Sequence, residues 1–236
     1  MLLQDARNGK RSAEDASRSA GRDAGLFFSA LQTLSSLSHG APVSAALLAA
    51  IVVYSLAALM RWPALIERGV FRPYWLLPRR EYSTLLTSGF LHADLTHLLL
   101  NGFTFWAFGF NLEREIGSGM FLALYAFGLF GSDFGTWLVH RHDPDYRTLG
   151  ASGAILAVLF ASIVYFPRSS IYMLPLPVPI PAPLFALAYL GYSIWASRRG
   201  GGRVNHDAHL SGAIAGVVFV AATDFERIGA AIRAFG

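Results

Sequence analysis

Long apolar blocks separated by short segments rich in Arg, Pro and Gly dominate the chain, and this pattern restricts the fold more than any single residue does. A membrane span needs about 20 mostly apolar residues. Inside lipid the backbone must satisfy its own hydrogen bonds, which favours helices. Six blocks meet or approach that length: 42–60, 91–110, 120–139, 150–165, a fifth opened by the proline-rich run PLPVPIPAP and continuing to 196, and 208–223. The expected fold is an all-α membrane protein, a bundle of six transmembrane helices. Composition agrees: 54% of residues are hydrophobic and 14% charged, against about 25% charged in soluble domains. The mean hydropathy is +0.44.

The expected organisation is a polar tail at 1–40, a six-helix domain at 41–225 and a short C-terminal tail at 226–236. Within the first tail, 26–37 has roughly helical spacing and reads as an interfacial helix. The tail lacks the apolar core of a signal peptide, and Asp5, Glu14, Asp15 and Asp23 break the acid-poor rule for a transit peptide. Segment 61–82 is rich in Arg, Pro and aromatic residues and suits the headgroup interface. The net charge of +4 would suit nucleic acid, but the arginines sit in loops between apolar blocks, so no nucleic-acid partner is expected. Lys and Arg divide almost evenly between alternate loops, so the positive-inside rule assigns no orientation. A multi-pass protein of a bacterial-type cell membrane is expected. No repeat relates the halves, unlike the usual transporter plan. The chain has no cysteine, which rules out disulfides and thiolate metal sites.

Polar residues inside apolar blocks are costly and mark candidate sites. In HADLTHLLLN, His97 and Asn101 are four apart and share a helical face. His92 lies off that face. Side chains of this kind also tie helices together without further function. In GASGA, Ser152 falls in the first turn of a helix, where backbone N–H groups lack intrahelical partners. Gly150 and Gly153 remove bulk on both sides of its hydroxyl. In HLSGAIAG, His209, Gly212 and Gly216 form one stripe. Gly153, Ala157 and Ala161 form a matching small stripe, and if the two meet, His209 is drawn towards Ser152. Asp133 is a candidate substrate contact, a carboxylate facing a water-filled cavity, or a solvated end residue. His92, His97, His206 and His209 could in principle converge on a metal, but no H-E-x-x-H occurs and no carboxylate flanks them at metal-site spacing. No metal and no cofactor are expected.

Together these segments resemble the rhomboid family of intramembrane serine proteases, over about 81–224. LLTSGFLHADLTHLLLNG is similar to the family pattern around its second helix, LEREIG to the loop after it, GASGA to the nucleophile motif and AHLSGAIAG to the last helix. The resemblance implies Ser152 as nucleophile and His209 as general base. It implies His97 and Asn101 as oxyanion donors with the Ser152 N–H, and His92 as a residue that holds this region together. Its implied partners are transmembrane protein substrates and the lipid bilayer. An inactive, client-binding relative is the alternative; loss of Ser or His would favour it, and both are present. Two positions depart from the pattern. Thr84 stands where an arginine is common, with Tyr82 nearby as a substitute aromatic, and Leu156 stands where an aromatic usually stacks on the base.

Overall fold

The computed structural model describes residues 39–173, 176–199 and 205–235. The expected interfacial helix at 26–37 and residues 200–204 lie outside the described residues. The helices are α1 (Pro42–Met60), α2 (Ala64–Gly69), α3 (Thr84–Thr87), α4 (Leu95–Ile116), α5 (Ser118–His140), α6 (Ser152–Tyr165), α7 (Ala182–Arg199), α8 (His206–Thr223) and α9 (Phe225–Phe235). Strands β1 (Ser170–Met173) and β2 (Leu176–Pro181) pair between α6 and α7. The fold is therefore a helical membrane fold with a small hairpin.

Local chemistry explains most of the element boundaries. Pro42 opens α1, where its missing N–H costs nothing. The next donors, Val43 N–H and Ser44 N–H, find no side-chain cap nearby. They donate instead to the Glu113 carboxylate near the end of α4, which also accepts from the Ser118 hydroxyl. Glu113 is fully buried and places a negative charge at the positive end of α1. Asp94 caps α4 by accepting from His97 N–H at 2.8 Å, so the helix starts at Leu95 rather than near 91, and His92 precedes it. The same helix runs on through LEREI and ends at Gly117, whose φ of 81° suits glycine.

The run PLPVPIPAP forms β2 rather than the start of a helix. Ile180 pairs with Ile171, and Pro179 and Pro181 occupy alternate positions. Alternation turns the missing donors to one side, where an edge strand needs none. Only after Pro181 does α7 begin. At the other end, residues 226–236 fall largely within α9, bent by 114° from α8.

Helix α6 lies at the centre. Every residue from Gly153 to Ile163 is buried, and α4, α5 and α8 pack around it. One core cluster joins Ile155 and Val158 to Phe105, Phe121 and Leu124. Outward faces carry large apolar residues such as Leu99, Phe103, Phe130, Phe134 and Leu187, all exposed, as lipid-facing surfaces are. Among the described residues, α1 and α5 are each long and apolar enough to cross a membrane, and α8 with α9 passes the same test as one bent pair. Two to three helices thus qualify by length and composition, short of the six expected. The shortfall has physical causes: α4 is interrupted by His97, Asn101 and Asn111, α6 has 14 residues, and α7 ends in Arg198 and Arg199.

The two small-residue stripes meet. A Cβ placed on Gly212 would overlap the Gly153 carbonyl, and one on Gly216 would overlap the Ala157 carbonyl. A main-chain carbonyl cannot rotate aside, so Gly212→Val forces α8 away from α6. The expected result is near-complete loss of activity with a stability loss of about 1–3 kcal/mol from overpacking. Turnover and melting temperature measured on one preparation check this, and full activity would contradict it.

Candidate active site

The loop entering α6 is fixed from outside. Phe71 and Thr148 exchange backbone hydrogen bonds of 2.9 Å, and Gly150 N–H donates to Ser88 O at 3.0 Å. Arg72 grips Glu81 with two hydrogen bonds of 3.0 and 2.9 Å, and Trp75 Nε1–H donates to Pro144 O. Thr84 is buried and donates to Glu81 O, while Tyr82 is exposed. Segment 61–82 is therefore anchored by the Arg72–Glu81 pair, the Phe71–Thr148 bridge and the Trp75–Pro144 bond, with Thr84 contributing a hydrogen bond to Glu81 O in place of an arginine.

Gly150 has a φ of 132°, a conformation that L side chains rarely adopt. It is also short of space: a Cβ there would lie 2.9 Å from His97 Cε1 and 3.8 Å from Ser152 Oγ. The His97 ring and the Ser152 side chain thus converge over Gly150. Ser152 is the first residue of α6, so its N–H points out of the helix without an intrahelical acceptor.

His209 reaches the serine from α8, with Nε2 2.8 Å from Ser152 Oγ. Its other nitrogen, Nδ1, lies 3.0 Å from the Tyr189 hydroxyl on α7. The start of α8 is pinned to its neighbours. Asn205 caps it by accepting from Ala208 N–H, and its amide donates to Thr136 Oγ1 on α5 and Thr148 Oγ1 in the loop before the serine. Asp207 accepts from Ser197 Oγ on α7 and pairs with His140 Nε2 at 2.9 Å. The His140 ring stacks on Tyr146 in the loop after α5.

Asn101 lies one turn beyond His97 on α4, 9% exposed. Its Nδ2 has no hydrogen-bond partner among the described residues. A buried unpaired donor is costly, and this one lies on the face shared with His97. His92 is fully buried. Ser55 donates to Phe90 O at 2.8 Å, which leaves its oxygen to accept from His92 Nδ1–H at 2.9 Å. The His92 ring then meets the His97 ring edge to face at 4.8 Å, so His92 ties α1 to the start of α4 and supports His97.

Leu156 is buried in a second cluster with Phe160 and Ala213, against which Phe185 and Tyr189 pack. Asp133 is 7% exposed and its Oδ2 is unpartnered among the described residues, which excludes a solvated end residue. Tyr189, Asn205 and Asp207 were not legible as site residues. Only Asn205 carried a signal, as a capping residue just ahead of an apolar block.

A helical membrane protein with a half-buried serine hydrogen-bonded to a histidine is the class these features define. The family model for the Rhomboid domain matches residues 79–224. The chain is 32% identical over 150 residues to RHOMBOID-like protein 12, mitochondrial, of Arabidopsis thaliana, covering 55% of this chain and 43% of that protein. It is 30% identical over 156 residues to Rhomboid protein 1, mitochondrial, of Saccharomyces cerevisiae, covering 63% and 45%. It is also 30% identical over 156 residues to Rhomboid protease GluP of Bacillus subtilis, covering 66% and 29%. The chain belongs to the rhomboid family. It spans less than half the length of these relatives. Two of the three are mitochondrial by name, so the expected bacterial-type cell membrane finds no support there; a membrane location does.

Proposed function

We propose that the chain is an intramembrane serine endopeptidase that cuts transmembrane segments of membrane proteins near the membrane surface. The observation that carries this reading is the 2.8 Å contact between His209 Nε2 and Ser152 Oγ. That distance is within reach for a general base. Ser152 attacks the peptide carbonyl while His209 takes its proton, and His209 then returns a proton to the leaving amine. A water deprotonated by the same ring hydrolyses the acyl-enzyme. His97, the Asn101 amide and the Ser152 N–H surround the oxyanion, where donors fixed in place before the reaction favour charge that appears only in the transition state. Both convergence over Gly150 and the unpaired Asn101 Nδ2 support that assignment.

In this reading α1, α4, α5, α6, α7 and α8 are the six membrane helices. A 14-residue helix is about 21 Å long, shorter than the roughly 30 Å hydrocarbon core. With its C-terminal end at one membrane face, α6 holds Ser152 several ångströms below the other. Substrates must therefore bring an unwound segment to that depth, because helical carbonyls are already bonded and sterically covered. Helices that unwind easily near one end, with small residues at the cut, fit this requirement.

The test is incubation of the purified protein in detergent with a generic transmembrane substrate. Cleavage near one end of the substrate helix, unaffected by a chelator, is expected. Inhibition by the chelator with recovery on added zinc would overturn the serine mechanism.

A further inference from the structure

His209 uses both ring nitrogens, and its second contact has consequences for the first. If Ser152 donates its proton to Nε2, that nitrogen must begin unprotonated. The ring proton is then on Nδ1, and Nδ1–H donates to the Tyr189 oxygen at 3.0 Å. The opposite tautomer would put a proton between Nε2 and the serine oxygen and leave no base. No carboxylate bonds to His209 among the described residues. The groups around it are His206 on its own helix, His97 on α4, Ser152 on α6 and Tyr189 on α7. Asp207 is close in sequence, but its oxygens are held by Ser197 and His140.

We propose that Tyr189 is the positioning residue of the base, holding His209 in the Nδ1–H tautomer with Nε2 aimed at Ser152. This rests on the reading of Ser152 and His209 given above. The phenol is itself held firmly. Its ring stacks on Phe185 at 5.7 Å and packs on Phe160 of α6 at 6.0 Å. One turn along α7, Tyr192 meets His206 at 5.4 Å. Two tyrosines three apart on α7 thus face two histidines three apart on α8, which fixes the axial register between the helices. A carboxylate in this position would stabilise the imidazolium more strongly, but an ionised group inside a membrane bundle is costly. A neutral hydroxyl orients the ring at a much smaller desolvation cost, and its oxygen still accepts from the cation formed when Nε2 takes the serine proton.

The test uses the full chain in detergent. Tyr189→Phe keeps the ring and removes the hydroxyl. The expected result is a fall in kcat of about tenfold, since a hydrogen bond to a developing charge is lost, with KM and melting temperature unchanged. The labelling rate of Ser152 by a fluorophosphonate is expected to fall by a similar factor, although no substrate helix is bound. In a His209→Ala background, Tyr189→Phe is expected to leave the slow residual labelling rate of Ser152 unchanged. Tyr189→Leu, which also removes the ring packing, is expected to lower the melting temperature as well. Wild-type kcat in Tyr189→Phe overturns the proposal. So does a kcat loss that tracks a fallen melting temperature, or a further fall in the labelling rate in the His209→Ala background. Should Ser152→Ala remain active, the protease reading itself falls; should it be inactive while Tyr189→Phe is unchanged, only the role of Tyr189 falls.

Discussion

Ser152→Ala and His209→Ala are each expected to bring cleavage of a transmembrane substrate to background, about ten-thousandfold or more below wild type. The double variant is expected to be no worse than either single one. Nucleophile and base act as a unit, so removing one strands the other, and their effects do not add. Neither change disturbs the framework. The contacts between α6 and α8 are made by Gly153 with Gly212 and by Ala157 with Gly216, and the start of α8 is held by Asn205 and Asp207. Melting temperatures close to wild type are therefore expected. Cleavage assays and thermal melts on all three variants check this. Multiplicative losses in the double variant would mean that the two side chains act independently.

Asn101→Ala is expected to lower kcat by about 10²–10³ and to leave KM nearly unchanged. Losing one fixed oxyanion donor typically costs this much, about 2.7–4 kcal/mol of transition-state stabilisation. The donor matters to the transition state rather than to bound substrate, hence the split between kcat and KM. A purely structural amide predicts another pattern, in which stability falls and activity declines only as folded protein is lost. The structure already weighs against that pattern, because Asn101 Nδ2 makes no hydrogen bond to another helix among the described residues, so its removal breaks no hydrogen bond from that amide nitrogen. Steady-state kinetics with melting temperature on the same sample distinguish the two. Wild-type turnover would remove Asn101 from the site.

Much of the framework was readable because it depends on local pattern. The block at Pro42–Met60 was legible to the residue, and the α5 and α8 blocks to within a few residues at each end. The spacing of the small stripes on α6 and α8 left their meeting as a condition, which the close approach of Gly212 to Gly153 and Gly216 to Ala157 meets. What stayed hidden depends on partners distant in sequence or on competing local rules. Glu113 caps α1 from about 70 residues away, and no periodicity encodes such a contact. The proline run read as a helix start because Pro is favoured there; alternation with Leu, Val and Ile decided for an edge strand. The start of α4 is set by Asp94, a capping residue that the apolar residues just before it mask in the hydropathy pattern. Within the site, Ser152, His97 and His209 stood out as polar groups in apolar surroundings. Tyr189 did not, since a tyrosine on a largely apolar helix is ordinary, and its register against His209 is fixed by packing between α7 and α8.

The central claim is that His209 activates the Ser152 hydroxyl. The most direct measurement is reaction of the purified protein with a fluorophosphonate, the adduct located by mass spectrometry and the rate compared with that of His209→Ala. The account predicts a single adduct on Ser152, absent in Ser152→Ala and formed far more slowly in His209→Ala. An adduct on another residue, or an unchanged rate at Ser152 without His209, would contradict it.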